Sequence, residues 1–591
     1  MKRHSWLNRL RERPNVRLNL ELLEDRSVPS APIPAGSEFR VNSTTTGLQE
    51  TTIFPHNYSI VDNLDAVATD AAGNYVVVWS GNGPGDADGV FAQRYDSTGN
   101  ALGGETRLNT TTAGAQTCPI VARASTSGKY ATAWDSANGV YGRFYNASGT
   151  AVTGEIAIAA ASNNTKNFVA SIAMDAAGNS VVVYKQIVQK GFYESNYWYA
   201  QRYNASGQAQ GKAIKVASPT LSNGQAAGVG MDAAGNFVVA WAQDGHFIYA
   251  QRYDSSGRTL GSRITVNPNS PAGDTNWQPG VGMGAAGDFV ITRDNAWPAP
   301  EQQYAQSFSA TGTPRGAAFT FGAPTEIPTS IAVEGNGDFI LAWATAYPSP
   351  SNGVADIRAQ RFDANGVAKE SAIAVNTTTA GDQVNPSVAV DAAGGFVVVW
   401  NNPVGIGNPP DDCDVYGQRY TIPASPLLAT SSPATPVSQT LTVSAVKPLV
   451  NQAIAHWQLA GADVSSLRNL DIRVADLGGT MLGLASGHTI TLDSNAAGWG
   501  WFVDLTPRSD SEFTTAGNQG EQGHIDLLSV LMHEVGHLLG HGHDASGLMS
   551  ETLATGVREI PETQLSFLPP TTSEHPLPLW WGIDLQAHRC R

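Results

Sequence analysis

Charge is scarce in this chain. Asp, Glu, Lys and Arg make up 15% of its 591 residues, against about 25% in an ordinary soluble domain, so long solvated helices are not expected. Cysteine is nearly absent: Cys118, Cys413 and Cys590 lie far apart with no CxxC, which supplies neither a disulfide framework nor a cysteine-based zinc site. A Cys118–Cys413 pair and unpaired thiols both stay open. No apolar run approaches the ~18 residues a helical membrane span needs, so no membrane span is expected. Net positive charge is missing as well. The formal charge of −16 disfavours nucleic acid as a partner, because phosphate binding needs a positive surface.

What is abundant is turn chemistry. The 61 glycines and 33 prolines form about a sixth of the chain, beside 41% hydrophobic residues, a mixture that predicts packed cores built mainly from short strands. One phrase, a turn followed by an apolar run ending in Trp or Tyr, recurs seven times. It reads DAAGNYVVVW at 70–79, SGKYATAW at 127–134, DAAGNSVVVY at 175–184, DAAGNFVVAW at 232–241, GAAGDFVITR at 284–293, EGNGDFILAW at 334–343 and DAAGGFVVVW at 391–400. Its glycines (Gly73, Gly128, Gly178, Gly235, Gly287, Gly337, Gly394) stand 50 to 57 residues apart, the spacing of a four-stranded propeller blade.

Each copy continues into a second alternating strand of the type YAQRYDSSG (249–257), whose D-x-x-G ending supplies hairpin turn residues. Six copies have a third strand, such as ETRLN (105–109) or RITVN (263–267), and the seventh lacks one. EFRVNSTTTG (38–47) matches ETRLNTTTAG (105–114) nearly position for position, so strand 38–42 is expected to close the ring with the last blade and protect its edges. Residues 37–421 therefore read as a seven-bladed all-β propeller; the rival is a string of β-sandwich modules. The recurring Asp and Gly are read as turn-makers, and the Arg of AQRY as a buttress between blades. Asp86 and Asp88 in GPGDADGV form a candidate calcium loop, although two carboxylates alone more commonly mark a solvated turn.

Residues 1–36 form a basic arm, with seven Lys or Arg against four acids in the first thirty positions, but without the apolar h-region of an ordinary signal peptide. LLEDRSVPS (22–30) resembles an N-terminal sorting motif of exported bacterial proteins. That resemblance implies a secreted or cell-surface protein. Residues 422–440, rich in Pro, Ser and Thr, read as a linker, and residues 561–591 as a tail.

Residues 441–560 read as a second, mixed α/β domain. Pro448 suits the first turn of a helix presenting Val450, Ile454 and Trp457 on one face, and LDIRVADL (470–477) and HTITLDS (488–494) alternate as strands. In DLLSVLMHEVGHLLGHGHDASGLMS (526–550), a helix capped by Asp526 places His533 and His537 on one face, four residues apart, able to share one Zn2+. Glu534 stands beside them, where a carboxylate can take a proton from metal-bound water. Gly540 allows a helix-breaking turn that returns His543 as third ligand, with His541 as its competitor.

The motif HExxHxxGxxH, with Met549 as a candidate Met-turn, resembles the metzincin zinc metallopeptidases, nearest in style to bacterial matrixin-like or serralysin-like members. The resemblance implies an exported zinc metalloendopeptidase of small α+β fold: Glu534 as catalytic base, His533, His537 and His543 as metal ligands, a protein or peptide as substrate, and HTITLDS as the edge strand that holds it. The propeller would serve docking or targeting. The sequence departs from the family in the five residues between His543 and Met549, and in the absence of a Tyr after Met549 and of a cysteine switch. The alternative is a surface adhesion or ligand-binding propeller, its ligand a protein or a glycan, with the second domain vestigial.

Overall fold

A computed structural model describes residues 31–561, apart from 52–64, 192, 221–225, 244–246, 269–274, 298–301, 324–328, 347–354, 405–411, 423–425, 439, 463, 465–466, 468–469, 487–488, 540, 542 and 544–545. The chain divides into two compact units, one up to Pro426 and one from Leu427, with the short pieces 484–487 and 540–542 assigned to the first.

The first unit is a seven-bladed β-propeller built from the seven repeats. Each blade is an antiparallel sheet of four or five strands, in plain chain order in blades 2 to 6. Blade 4 is representative: Ala227–Met231, Phe237–Gln243, Phe247–Tyr253 and Thr259–Thr265. The seventh blade is completed from the N-terminus, where Phe39 and Arg40 pair with Gly417 and Tyr416 of strand Asp412–Thr421.

The repeat phrase folds as it does for local reasons. Asp70 Oδ1 accepts the backbone N–H groups of Ala72 and Asn74 at 3.2 and 2.9 Å, and Gly73 takes φ +82°, a left-handed conformation that costs glycine little. The apolar run then pairs in register with the AQRY strand, so that its first ring stacks on the last ring opposite. Tyr75–Tyr95, Tyr130–Tyr145, Phe237–Tyr253 and Phe396–Tyr420 lie at centroid distances of 4.6 to 4.8 Å. Trp79, Trp134, Trp198, Trp343 and Trp400 are wholly buried. Cores thus form between neighbouring blades, and no blade buries its faces alone.

Two polar ladders cross the blade boundaries. The AQRY arginines reach backbone carbonyls of the next blade's turn: Arg202 to Ser255, Arg252 to Thr311, and Arg419 of blade 7 to Thr98 of blade 1, at 2.5 to 2.6 Å. On the inner strands, Ser171 Oγ accepts from Val229 N–H, Ser330 Oγ from Val388 N–H, and Ser387 Oγ from Ala66 N–H. The inner strands of blades 1, 2, 3, 6 and 7 surround a cavity of about 210 Å³, lined by Asp65, Ile172, Ile331 and Ser387 among others. Asp65 Oδ2 accepts from Ser171 Oγ at 2.8 Å, and burial pushes its carboxyl up to about 6 despite that bond. Asp86 is engaged within its own blade, accepting Asn109 Nδ2–H at 2.7 Å.

The second unit holds helices α1 (Val443–Leu459), α2 (Ser511–Thr514) and α3 (Leu527–Leu538). Its sheet runs in the order Asp471–Ala475, Thr489–Asp493, Met481–Ser486, Leu427–Ala429, Thr552–Leu553. Helix α1 begins five residues before Pro448, which therefore lies inside the helix and not in its first turn. No described helix is long and apolar enough to cross a membrane.

The expected fold class needs correcting in its second half. The propeller and its repeats stand, but the described chain is β nearly throughout, with helix confined to α1, α2 and α3. The C-terminal stretch, a small mixed sheet of strands two to six residues long with two helices of any length, does not amount to the α/β metzincin-like domain expected for 441–560. The motif specifies one helix and the turn after it, whereas the surrounding sheet depends on pairings that an eleven-residue pattern does not encode.

Candidate metal centre

Helix α3 is placed by its cap and its burial. Asp526 Oδ2 accepts from Ser529 N–H at 3.0 Å and from Ser529 Oγ at 2.7 Å. Arg558 donates to Asp526 at 2.8 and 3.0 Å, to Asp504 at 2.7 Å and to Asp510 at 3.0 Å. Burial works against the guanidinium charge, and the hydrogen bonds and charges of these carboxylates more than restore it, holding Arg558 above its ordinary value. Residues 527–536 are all buried, as befits a helix enclosed on every side. Trp457 of α1 donates Nε1–H to Met532 O at 2.7 Å.

Gly536 makes room at the lower end of the helix. A β-carbon there would lie 2.5 Å from Met549 Sδ and 2.8 Å from Trp457 Cζ2, so its bare Cα lets both side chains reach the helix backbone. Met549 is buried in the turn beneath.

The four-residue spacing brings His533 and His537 to one face, and the chain returns His543 to them. Their Nε2 atoms form a triangle with sides of 3.0, 3.1 and 3.2 Å. A tetrahedral zinc with Zn–N bonds of 2.0–2.1 Å requires ligand nitrogens about 3.3 Å apart, so the donors fit such an ion closely. His533 Nδ1 lies 2.7 Å from Leu548 O. A carbonyl only accepts, so Nδ1 carries the proton, and the Nε2 of the neutral ring offers its lone pair to the centre of the triangle. Burial first, then the neighbouring His537, lower His533 to about 3, which keeps the ring neutral. Of the histidines weighed for the third position, His543 joins the cluster, while His541 is exposed and outside it. Gly540 lies outside the described residues.

Glu534 is fully buried, its Oε1 2.7 Å from where a β-carbon on Gly483 would stand. Strand Thr489–Asp493, taken from the sequence as a substrate-holding edge, is interior to its sheet, between Asp471–Ala475 and Met481–Ser486. Trp499 and Trp501 donate to Ser431 O and Asp493 O and pack on the core. Sequence reasoning missed the Leu548 carbonyl, Glu551, Gly536 and the Arg558 clamp. Backbone acceptors leave no trace in side-chain identity, and Arg558 meets its three aspartates from 32 to 54 residues away.

No protein-family model and no curated protein matches the chain. Solved structures do align with it. A protein of unknown function from Dyadobacter fermentans DSM 18053 is 11% identical with TM-score 0.41, over 67% of this chain and 99% of that one. The polysaccharide lyase Uly1 is 10% identical with TM-score 0.39, over 66% and 100%, and an α-L-arabinanase from Penicillium chrysogenum 11% identical with TM-score 0.33, over 65% and 98%. Likeness at this level carries no argument about activity.

The fold overturns the metzincin resemblance, which extends over the motif and its Met549, whereas the described chain is β nearly throughout and shows no α/β peptidase domain around them. The zinc endopeptidase function and the metalloendopeptidase class fall with it. The structure adds two physical reasons: the carboxylate read as base is buried against a strand, and the strand read as substrate edge has neighbours on both sides.

Proposed function

We propose that this chain is a ligand-binding β-propeller protein that acts outside the cell and carries one zinc ion on His533, His537 and His543. The triangle of Nε2 atoms supports the metal reading: three imidazole nitrogens aimed at one centre cannot all satisfy one another by hydrogen bonding, and their separations suit a tetrahedral ion. Bound there, zinc would tie α3 to the segment after it and leave one coordination position for an outside donor. Ligand binding is supported by the build of the ring. Its cores and ladders repeat, while its hairpins vary. The central strands of blade 3, Ser180–Lys190 and Tyr193–Tyr203, run 11 residues each against 7 in blade 4, and Lys215 Nζ sits 4.2 Å from the Tyr197 ring centroid. Such aromatic and cationic groups suit a glycan or a protein surface. The basic arm and LLEDRSVPS support export, and the acidic chain argues against nucleic acid as partner.

The experiment is metal analysis of the full-length protein after equilibration with zinc and removal of free ion. One zinc per chain in the wild type, and none in His533→Ala or His537→Ala, is expected; a metal-free wild type would refute the reading. Glycan arrays probed with the same protein test the ligand class, and retained binding by His537→Ala would place the ligand on the propeller.

A further inference from the structure

We infer that Glu551 is a positioning residue for the zinc site, acting through His543. This rests on the zinc reading above. The three Nε2 atoms face one another, so each Nδ1 faces outward and needs an acceptor of its own. For His533 that acceptor is Leu548 O, at 2.7 Å. For His543 the Glu551 carboxylate is a group that faces Nδ1, with Oε1 at 3.9 Å. Both acceptors belong to the same short segment, 548–551, which Gly547 (φ +81°) introduces. Thr552 and Leu553 just beyond it pair with Leu428 and Ala429. Met549, between the two acceptors, is buried against Gly536 of the ligand-bearing helix. The segment is thus anchored at the helix and at the sheet, and it presents one acceptor to each of two ligand rings.

The chemistry gives Glu551 its particular role. A cation on Nε2 would draw electron density from the ring and strengthen Nδ1–H as a donor, which would favour a charge-assisted hydrogen bond to the carboxylate. The carboxylate then holds the Nδ1–H tautomer, orients His543 and raises its basicity as a ligand. Its side chain is 57% exposed, so its loss should cost the metal-free fold little.

The test compares full-length wild type, Glu551→Gln, Glu551→Ala and Glu551→Asp, with zinc affinity measured by chelator competition and thermal unfolding measured without metal. The expected result is a zinc affinity lowered about 10- to 100-fold in the Gln and Ala variants, partly restored in Asp, with metal-free unfolding as in the wild type. Cobalt(II) in the wild type and in Glu551→Gln should give the same tetrahedral absorption pattern, since no ligand is lost. Unchanged affinity in Gln and Ala would overturn the proposal while leaving the zinc site intact, and so would a metal-free protein that unfolds earlier. A changed cobalt spectrum would overturn it in favour of direct ligation. A wild type that binds no zinc would remove the underlying reading itself.

Discussion

Replacing Gly536 by Ala probes how tightly the metal helix is packed. The added β-carbon would stand 2.5 Å from Met549 Sδ and 2.8 Å from Trp457 Cζ2, both far inside van der Waals contact. Trp457 cannot yield cheaply, because its Nε1–H is bonded to Met532 O at 2.7 Å and only 6% of the residue is exposed. Met549 must move, and it is itself 95% buried. Overpacking of this kind costs about 1–3 kcal/mol, while Ala in place of Gly within a helix returns about 0.8–1.0 kcal/mol. The net expectation is a loss of roughly 0–2 kcal/mol in the C-terminal unit, about 1 kcal/mol at the midpoint of the two ranges. With two units in the chain, a single global melt is a poor reporter, so the measurement is hydrogen exchange at residues 527–538. Faster exchange, equivalent to about a 5-fold rise in the open population for a loss of about 1 kcal/mol, is expected. Pairing the change with Met549→Ala should recover much of the loss, a coupling that a double-mutant cycle isolates. Exchange in α3 as slow as in the wild type would refute the reasoning, since it would mean that the contacts around Gly536 relax without cost.

Three further outcomes follow from the geometry. Arg558→Met leaves Asp526 and Asp504, both nearly inaccessible, without their shared guanidinium; about 3–5 kcal/mol should be lost, read as a lower denaturation midpoint of the second unit, and an unshifted midpoint would contradict the clamp. Asp65 and Asp391 are both raised by burial to about 6, above the ordinary value of 3.8, so each binds its proton more tightly in the folded state. Their stabilising contribution is complete below about pH 4 and is lost as pH rises through 6. The propeller transition should therefore be less stable at pH 7 than at pH 5, by roughly 1 kcal/mol for each carboxyl, and Asp65→Asn should shrink that difference, which denaturant titration at the two pH values measures. Gly139 has φ +117°, and a β-carbon there would meet Ala159 O at 2.1 Å. Gly139→Ala should destabilise the propeller, and hydrogen exchange in strands Tyr130–Ser136 and Gly139–Tyr145 as slow as in the wild type would argue against the described hairpin.

The propeller was legible in the sequence because its information is local and repeated. A turn needing Asp and Gly, an apolar run and an alternating strand occur seven times, and each repeat is too small to bury its faces alone, so stacking into a ring follows. The histidine cluster was legible for a similar reason, since helical periodicity puts His533 beside His537 whatever surrounds them. The second unit was less so. A motif that fixes eleven residues led to expectations for about 120: the strands at 471–475 and 489–493 and the cap at Asp526 formed as expected, but α1 starts before its proline, HTITLDS lies inside its sheet, and the stretch does not amount to an α/β peptidase domain.

Backbone conformation and short-range pattern, which depend on residues a few positions apart, could thus be read directly: seven blades, their turns, the cap at Asp526 and the spacing of two metal donors. Whatever depends on residues distant in the chain was decided by folding. Arg419 crosses the closed ring to Thr98, Arg558 gathers three aspartates, Gly483 buries Glu534, and Leu548 and Glu551 face the outer nitrogens of His533 and His543. The reason is physical. The strength and identity of such contacts come from burial and from which backbone atoms happen to meet, and neither is a property of the residues that flank them in sequence.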